Sequence, residues 1–194
     1  MAEHRQLQRA ALLDAARTLL TEGGMEALTF PALAARTGLA RSSVYEYFRS
    51  RAVVVEALCE VDFPLWAAEI EAGMESCDSA AERIEAYVRG QLALAGDPRH
   101  RAVVAISALE LDEAARERIR AAHGNLVGLV VRALEDLGHE RPRLAAALLQ
   151  GIVEAAVRQA EQSAAGPRAG CPAEGPEAIA DAAVAMALHG LDRF

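Results

Sequence analysis

The chain has 194 residues, 53% of them hydrophobic, which is enough to bury a substantial core, and it carries a formal net charge of −8. No stretch approaches the roughly 18–20 uncharged apolar residues of a membrane span, and the start, Met1 to Arg9, lacks the apolar segment of a secretory signal, so a cytoplasmic protein without membrane attachment is expected. All 20 basic residues are arginine, which excludes Schiff-base and phosphate-loop lysines, and Cys59, Cys77 and Cys171 are odd in number and outside any CxxC spacing, so neither a disulfide framework nor a metal site is expected.

Alanine is the commonest residue, aromatics are 4%, and strong helix formers outnumber β-branched residues nearly everywhere, which predicts an all-α chain of about nine helices. The first runs from about Glu3 to Glu22, with Leu12, Ala16 and Leu19 on one face, and leaves through a left-handed glycine at Gly23–Gly24. Thr29 caps a second helix that ends at Gly38, with Pro31 at its second position and Ala32 N–H bonded to the threonine oxygen. A third spans Arg41 to Phe48, and Ser50 caps a fourth that reaches about Glu75. Pro64 inside the fourth is expected to kink it or to leave a carbonyl unpaired near Glu60. Ser79 and Glu82 form a capping box, Asp97–Pro98 opens the next helix, and Asp112 caps one that Gly138 stops. A helix from Pro142 to about Ser163, a glycine–proline loop over residues 164–175, and a final helix from Pro176 complete the chain.

Residues 1–51 hold seven arginines against five acids, and the remainder thirteen against twenty-three, so the two parts have opposite electrostatic character. Within the first part, Thr29 to Arg51 reads as a helix-turn-helix: two short helices, a glycine turn, and apolar Leu33, Ala34, Leu39, Val44 and Phe48 to share a small core with the first helix. The outward residues of its second helix, Arg41, Ser42, Ser43, Tyr45 and Tyr47, all hydrogen-bond, and Arg49 and Arg51 flank them where phosphates would lie.

Over residues 5–58 the sequence resembles the TetR family of bacterial transcriptional regulators. The likeness rests on Leu12–Leu13, Ala15–Ala16, Leu19, Gly23, Thr29, Leu33–Ala34, Gly38, Val44–Tyr45, Tyr47–Phe48 and Arg51. Tyr47 and Arg51 stand where the family typically has His and Lys, and Ala40 where it often has a serine able to cap the recognition helix, which leaves that helix's first residue open. The resemblance implies an N-terminal helix-turn-helix domain (residues 1–50) and a larger helical ligand-binding and dimerisation domain (51–194). It implies that Thr29, Tyr45, Tyr47 and Arg51 contact phosphates of double-stranded DNA and that Arg41, Ser42 and Ser43 face base edges. Arginine pairs bidentately with guanine, so specificity is expected to rest on Arg41 first.

The resemblance further implies a homodimer on a palindromic operator. The last two helices offer apolar and small-residue stripes for it: Leu144, Ala147, Leu148, Gly151, Ile152, Ala155 and Ala156 on one, Ile179, Ala182, Ala183, Met186 and Ala187 on the other. The same stripes could complete the core of one chain, because periodicity does not separate the two uses. A small, largely apolar effector is expected to release the regulator, a repressor, from DNA. The residues assigned to it are Phe63, Trp66, Ile70, Tyr87, Ile106, His123, Val127 and Gln150, with Asn125 and Glu154 as further polar candidates, each with a plain structural reading beside it.

No cofactor is expected, and no enzyme: the chain has no His-x-x-x-His, no Gly-x-Ser-x-Gly and no phosphate-binding glycine loop. The alternative is a TetR-like helical protein without ligand regulation, acting as a DNA-binding or protein-interaction module.

Overall fold

Capping side chains at helix starts and glycines at helix ends divide the chain, and a computed structural model describes the result for residues 2–164 and 175–191, without the side chains of residues 2, 108–110, 116, 118–125, 164 and 191. Its elements are α1 (Ala2–Ala27), α2 (Phe30–Thr37), α3 (Arg41–Tyr47), α4 (Arg51–Glu75), α5 (Ala80–Gly96), α6 (Pro98–Glu110), α7 (Glu113–Asp136), α8 (Pro142–Ala164) and α9 (Pro176–Leu191), and every regular element among the described residues is helical.

The caps are those the sequence dictates. Thr29 Oγ1 accepts from Ala32 N–H at 3.3 Å, Ser50 Oγ from Val53 N–H at 3.3 Å, and Asp112 Oδ1 from Ala115 N–H at 2.7 Å. Ser79 and Glu82 exchange bonds: Glu82 N–H donates to the serine hydroxyl, Ser79 N–H donates to the glutamate, and these bonds hold the Glu82 carboxyl below its ordinary range. Asp97 takes both Arg99 N–H and His100 N–H. At the end of α7, Gly138 (φ 74°) lets its own N–H reach Glu135 O and His139 N–H reach Leu134 O, a Schellman closure that satisfies two terminal carbonyls.

One detail differs from expectation. The break in α1 falls at Gly23–Gly24, but Gly23 has φ −144° and it is Gly24 that turns, at φ 61°, ψ −152°. That ψ lies outside the left-handed helical well, in a region only glycine enters easily, so Gly24 breaks α1 internally and is not an ordinary left-handed glycine exit. At Pro64, α4 continues as one element through to Glu75. The expected loop lies outside the described residues from 165 to 174, as does Cys171.

The chain packs as two compact units, one of Met1–Pro64 with Asp97–Ala122 and one of Leu65–Gly96 with His123–Phe194. In the first, α1 packs on α2 and α6, and α2 on α3. Leu12, Ala16, Leu33, Val44, Phe48, Val54 and Leu58 are buried there. An ion pair crosses this apolar interior: Arg17 Nε donates to both oxygens of Asp62 at 3.0 Å, a second Arg17 nitrogen donates to Asp62, and a third to Asp14. Asp62 is 4% exposed, so the bonds from Arg17 offset a desolvation that would otherwise strongly disfavour its charge. The same bonds raise the Arg17 pKa, and burial, followed by the nearby Asp62 charge, pushes the Cys59 thiol up to about 12.

The second unit closes on Ile70 and Met74 of α4, Ile84, Tyr87 and Val88 of α5, Val130 and Leu134 of α7, Leu149 and Val153 of α8, and Ile179 and Val184 of α9. Arg89 ties α5 to α9 through Asp181, and Arg83 ties it to α7 through Asp136.

Candidate functional site

The helix-turn-helix is built by local rules. Gly38, at φ 68° and ψ 13°, ends α2 in the left-handed conformation, and Ala40 then turns the chain into α3 with extended dihedrals of φ −64° and ψ 144°. Ala40 has the backbone of a helix cap without an acceptor, so its carbonyl alone receives the first N–H groups, from Ser43 at 2.9 Å and Val44 at 3.3 Å. α3 therefore starts at Arg41, and an absent side-chain cap of this kind is worth about 1 kcal/mol.

Seven residues give α3 just under two turns, and its buried face is small. Val44 is fully buried and Phe48, the residue that ends the helix, nearly so, while Leu33 and Ala34 of α2 close the same core and Leu39 is half-buried. Arg41, Ser42 and Tyr45 are exposed and Ser43 is half-buried. Tyr45 leans on Phe30 at the start of α2, with ring centroids 4.5 Å apart and planes at 57°, which fixes the ring while its hydroxyl end stays outside. Thr29 is exposed beside it; its oxygen accepts the capping bond, so its own proton is available to an acceptor.

The structure treats the other two assigned residues differently. Tyr47 is half-buried and its hydroxyl donates to Gln8 Oε1 of α1. Arg51, at the start of α4, places one nitrogen 3.5 Å from the Met25 carbonyl and is half-buried. Residues absent from the sequence-derived set also gather here. The Arg5 guanidinium lies 5.7 Å from the centre of the Tyr47 ring, and that of Arg9 lies 5.7 Å from the Phe48 ring. Arg5, Gln8 and Arg9 follow i, i+3, i+4 spacing, so one face of α1 lies against the end of α3. That spacing was the available signal.

The residues assigned to an effector are divided between the units. Phe63 and Ile106 are buried in the first; Ile70 and Tyr87 are buried in the second, where Trp66, Val127 and Gln150 are half-buried. The Tyr87 hydroxyl donates to Gln150 Oε1 at 2.6 Å, and Gln150 Nε2 points to Glu154 at 3.4 Å. Burial holds the Tyr87 phenol above its ordinary pKa. The side chains of His123 and Asn125 lie outside the described residues.

On α8 and α9 the predicted stripes split in two. Ala156, Ile179, Ala183 and Ala187 are buried in the unit's own core, whereas Leu144, Leu148 and Met186 are 52%, 56% and 64% exposed. With Ile152, Met186 and Leu148 line two adjoining hollows of about 400 Å³ each. Among the described residues no group of His, Cys, Asp and Glu is arranged to hold a metal ion, and no helix is long and apolar enough to cross a membrane.

Residues 12–58 match the family model of bacterial regulatory proteins, tetR family. No curated protein matches the chain. Solved structures do. A transcriptional regulator FadR from Bacillus subtilis, in complex with stearoyl-CoA, is 18% identical with a TM-score of 0.69, covering 93% of this chain and 98% of its own. AibR, in complex with isovaleryl coenzyme A and operator DNA, is 19% identical with a TM-score of 0.66, covering 92% and 97%. The superantigen PfiT is 21% identical with a TM-score of 0.74, covering 92% and 95%. These likenesses extend the shared fold along nearly the whole chain, although such similarity fixes architecture and leaves activity to individual residues. Residues 12–58 thus carry the match to the tetR family of bacterial regulatory proteins, and the described residues share the all-helical fold of these solved structures.

Proposed function

We propose that the protein is a homodimeric transcriptional repressor, without enzymatic activity, that binds a palindromic DNA operator through residues 1–50 and is released by a small, largely apolar ligand bound within residues 51–194. The observation that carries the DNA reading is α3 itself: one face is used up by Val44 and Phe48, and the rest offers Arg41, Ser42 and Tyr45 to solvent. Arg41 supplies a bidentate contact to guanine, worth about 1–3 kcal/mol of discrimination, and Ser42 and Ser43 read base edges permissively. Thr29, Tyr45 and the charge of Arg51 hold phosphates, with Tyr47 at the margin of that surface.

The exposed leucines and methionine of α8 and α9 support dimerisation through the last two helices. Large apolar side chains clustered on one face are what a two-fold interface buries, and two reading heads are needed to span successive major grooves about 34–36 Å apart. For the effector, the coenzyme A thioesters held by FadR and AibR support a ligand with an apolar acyl chain. The Tyr87–Gln150 pair is the polar element beside which such a chain would lie. The ligand acts only through differential affinity for two states of the dimer; a coupling of about 1–3 kcal/mol shifts operator affinity roughly 5- to 150-fold.

A second reading, a TetR-like module without ligand regulation, is favoured by one observation: Ile70 and Tyr87 are built into a close-packed core, with the Tyr87 hydroxyl already bonded. One experiment separates the readings. Genomic fragments are selected on the purified protein, affinity is titrated over a salt series, and the recovered site is challenged with acyl-coenzyme A thioesters of graded chain length. An inverted repeat bound by a dimer and released by one thioester supports the first reading. The same repeat bound indifferently to every thioester supports the second, and failure to enrich any site refutes both as DNA binders.

A further inference from the structure

The cationic surface of the reading head includes a residue supplied by α1. Phosphate oxygens only accept hydrogen bonds, so a residue that holds them must present a donor or a positive charge. Tyr47 has one donor, and its hydroxyl proton goes to Gln8. Its ring, however, faces Arg5, whose guanidinium lies 5.7 Å from the ring centre, is exposed, and has no carboxylate partner among the described residues. A cation held by a ring's quadrupole keeps its full charge, and the planar guanidinium is confined without being neutralised.

Arg9, one turn further along α1, shows the contrast: it is half-buried against the buried Phe48 and fixes how α1 lies on the end of α3. Arg5 is the member of the pair that remains outside. It stands next to Tyr47, the last residue of α3, which is two positions before the exposed Arg49.

We propose that Arg5 is a phosphate-binding residue of the DNA interface and that Tyr47, its ring the platform and its hydroxyl the tether to Gln8, is the residue that positions it. The inference rests on the DNA-binding reading above and adds to it a contact from outside the helix-turn-helix.

Because a phosphate contact is independent of sequence, the test needs no operator. Full-length protein is titrated with random-sequence duplex DNA over a salt series, comparing wild type with Arg5→Ala, Arg5→Lys, Tyr47→Phe and Tyr47→Leu, each checked for unchanged helical content. Loss of one phosphate contact makes the slope of log affinity against log salt shallower by about 0.9, so between about 50 and 200 mM salt the affinity of Arg5→Ala falls roughly threefold less than that of wild type. Arg5→Lys keeps the slope. Tyr47→Leu, which removes the ring, reproduces the shallower slope, and combining it with Arg5→Ala adds nothing; Tyr47→Phe, which keeps the ring, retains the wild-type slope. A wild-type slope in Arg5→Ala overturns the proposal; so does a shallower slope shared by Tyr47→Phe and Tyr47→Leu, which would make the hydroxyl the contact, or a wild-type slope in both, which would deny the ring its positioning role. Wild type that shows no salt-dependent binding overturns the DNA-binding reading itself.

Discussion

In the reading head the apolar side chains are used up inside and the polar ones are left outside, whereas on α8 and α9 large apolar side chains remain in solvent after the core has closed. Leu33, Val44 and Phe48 have essentially no exposure; Leu144, Leu148 and Met186 keep more than half. A surface of the first kind recognises a charged, hydrogen-bonding polymer, because exposed hydroxyls and guanidinium groups lose little by exchanging water for phosphates and base edges. A surface of the second kind has a reason to be covered, since each buried Leu or Met side chain is worth about 1.5–3 kcal/mol. One chain thus leaves two chemically different surfaces open, distinguished by the kind of side chain left unburied.

The contrast can be broken most severely from inside the head. Leu33→Ala empties a fully buried site and is expected to destabilise the protein by about 2–5 kcal/mol in denaturant unfolding, whereas Arg41→Ala, on the outer surface of the next helix, is expected to leave stability within about 0.5 kcal/mol while relaxing the preference at one operator base. If Arg41→Ala unfolded the protein as Leu33→Ala does, the outer face of α3 would have a packing role.

On the other surface the expected loss is in association. Leu148→Glu together with Met186→Glu should weaken self-association by about 2–4 kcal/mol, roughly 30- to 1000-fold in dissociation constant, seen in sedimentation, with the monomer's helical content retained. Unchanged association would place the partner face elsewhere. The smallest effect is a gain: Ala40→Ser supplies the acceptor that the α3 cap lacks, and should raise stability by about 0.5–1 kcal/mol, read as a higher denaturant midpoint at unchanged slope.

The head was legible in the sequence because its boundaries are decided within a few residues. Thr29 and Ser50 each accept from a backbone N–H three positions on, and Gly38 turns the chain in the left-handed conformation, as their residue types require. The start of α3, ambiguous at Ala40, needed coordinates because no side chain there declares it. Tyr47 and Arg51 were legible as polar residues at the right positions, but not their engagement with Gln8 and Met25, which are 39 and 26 residues away. On α8 and α9 a single periodic pattern served two faces, so Ile179 and Ala183, turned into the core, could not be told from Met186 and Leu148, turned out of it. Assignment of effector residues from large side chains alone met the same limit: size and apolarity describe Ile70 equally well as a wall or as packing.

The ion pair between Arg17 and Asp62 has a bearing on engineering. A chimaera that borrows only residues 1–50 as a DNA-reading cassette would take the guanidinium of α1 and leave behind the carboxylate of α4 that receives it, together with the face of α6 that lies on α1. The transplanted segment would carry a half-buried guanidinium left with only the exposed carboxylate of Asp14. The portable piece extends at least to Asp62, and a donor scaffold must offer α1 a surface in place of α6.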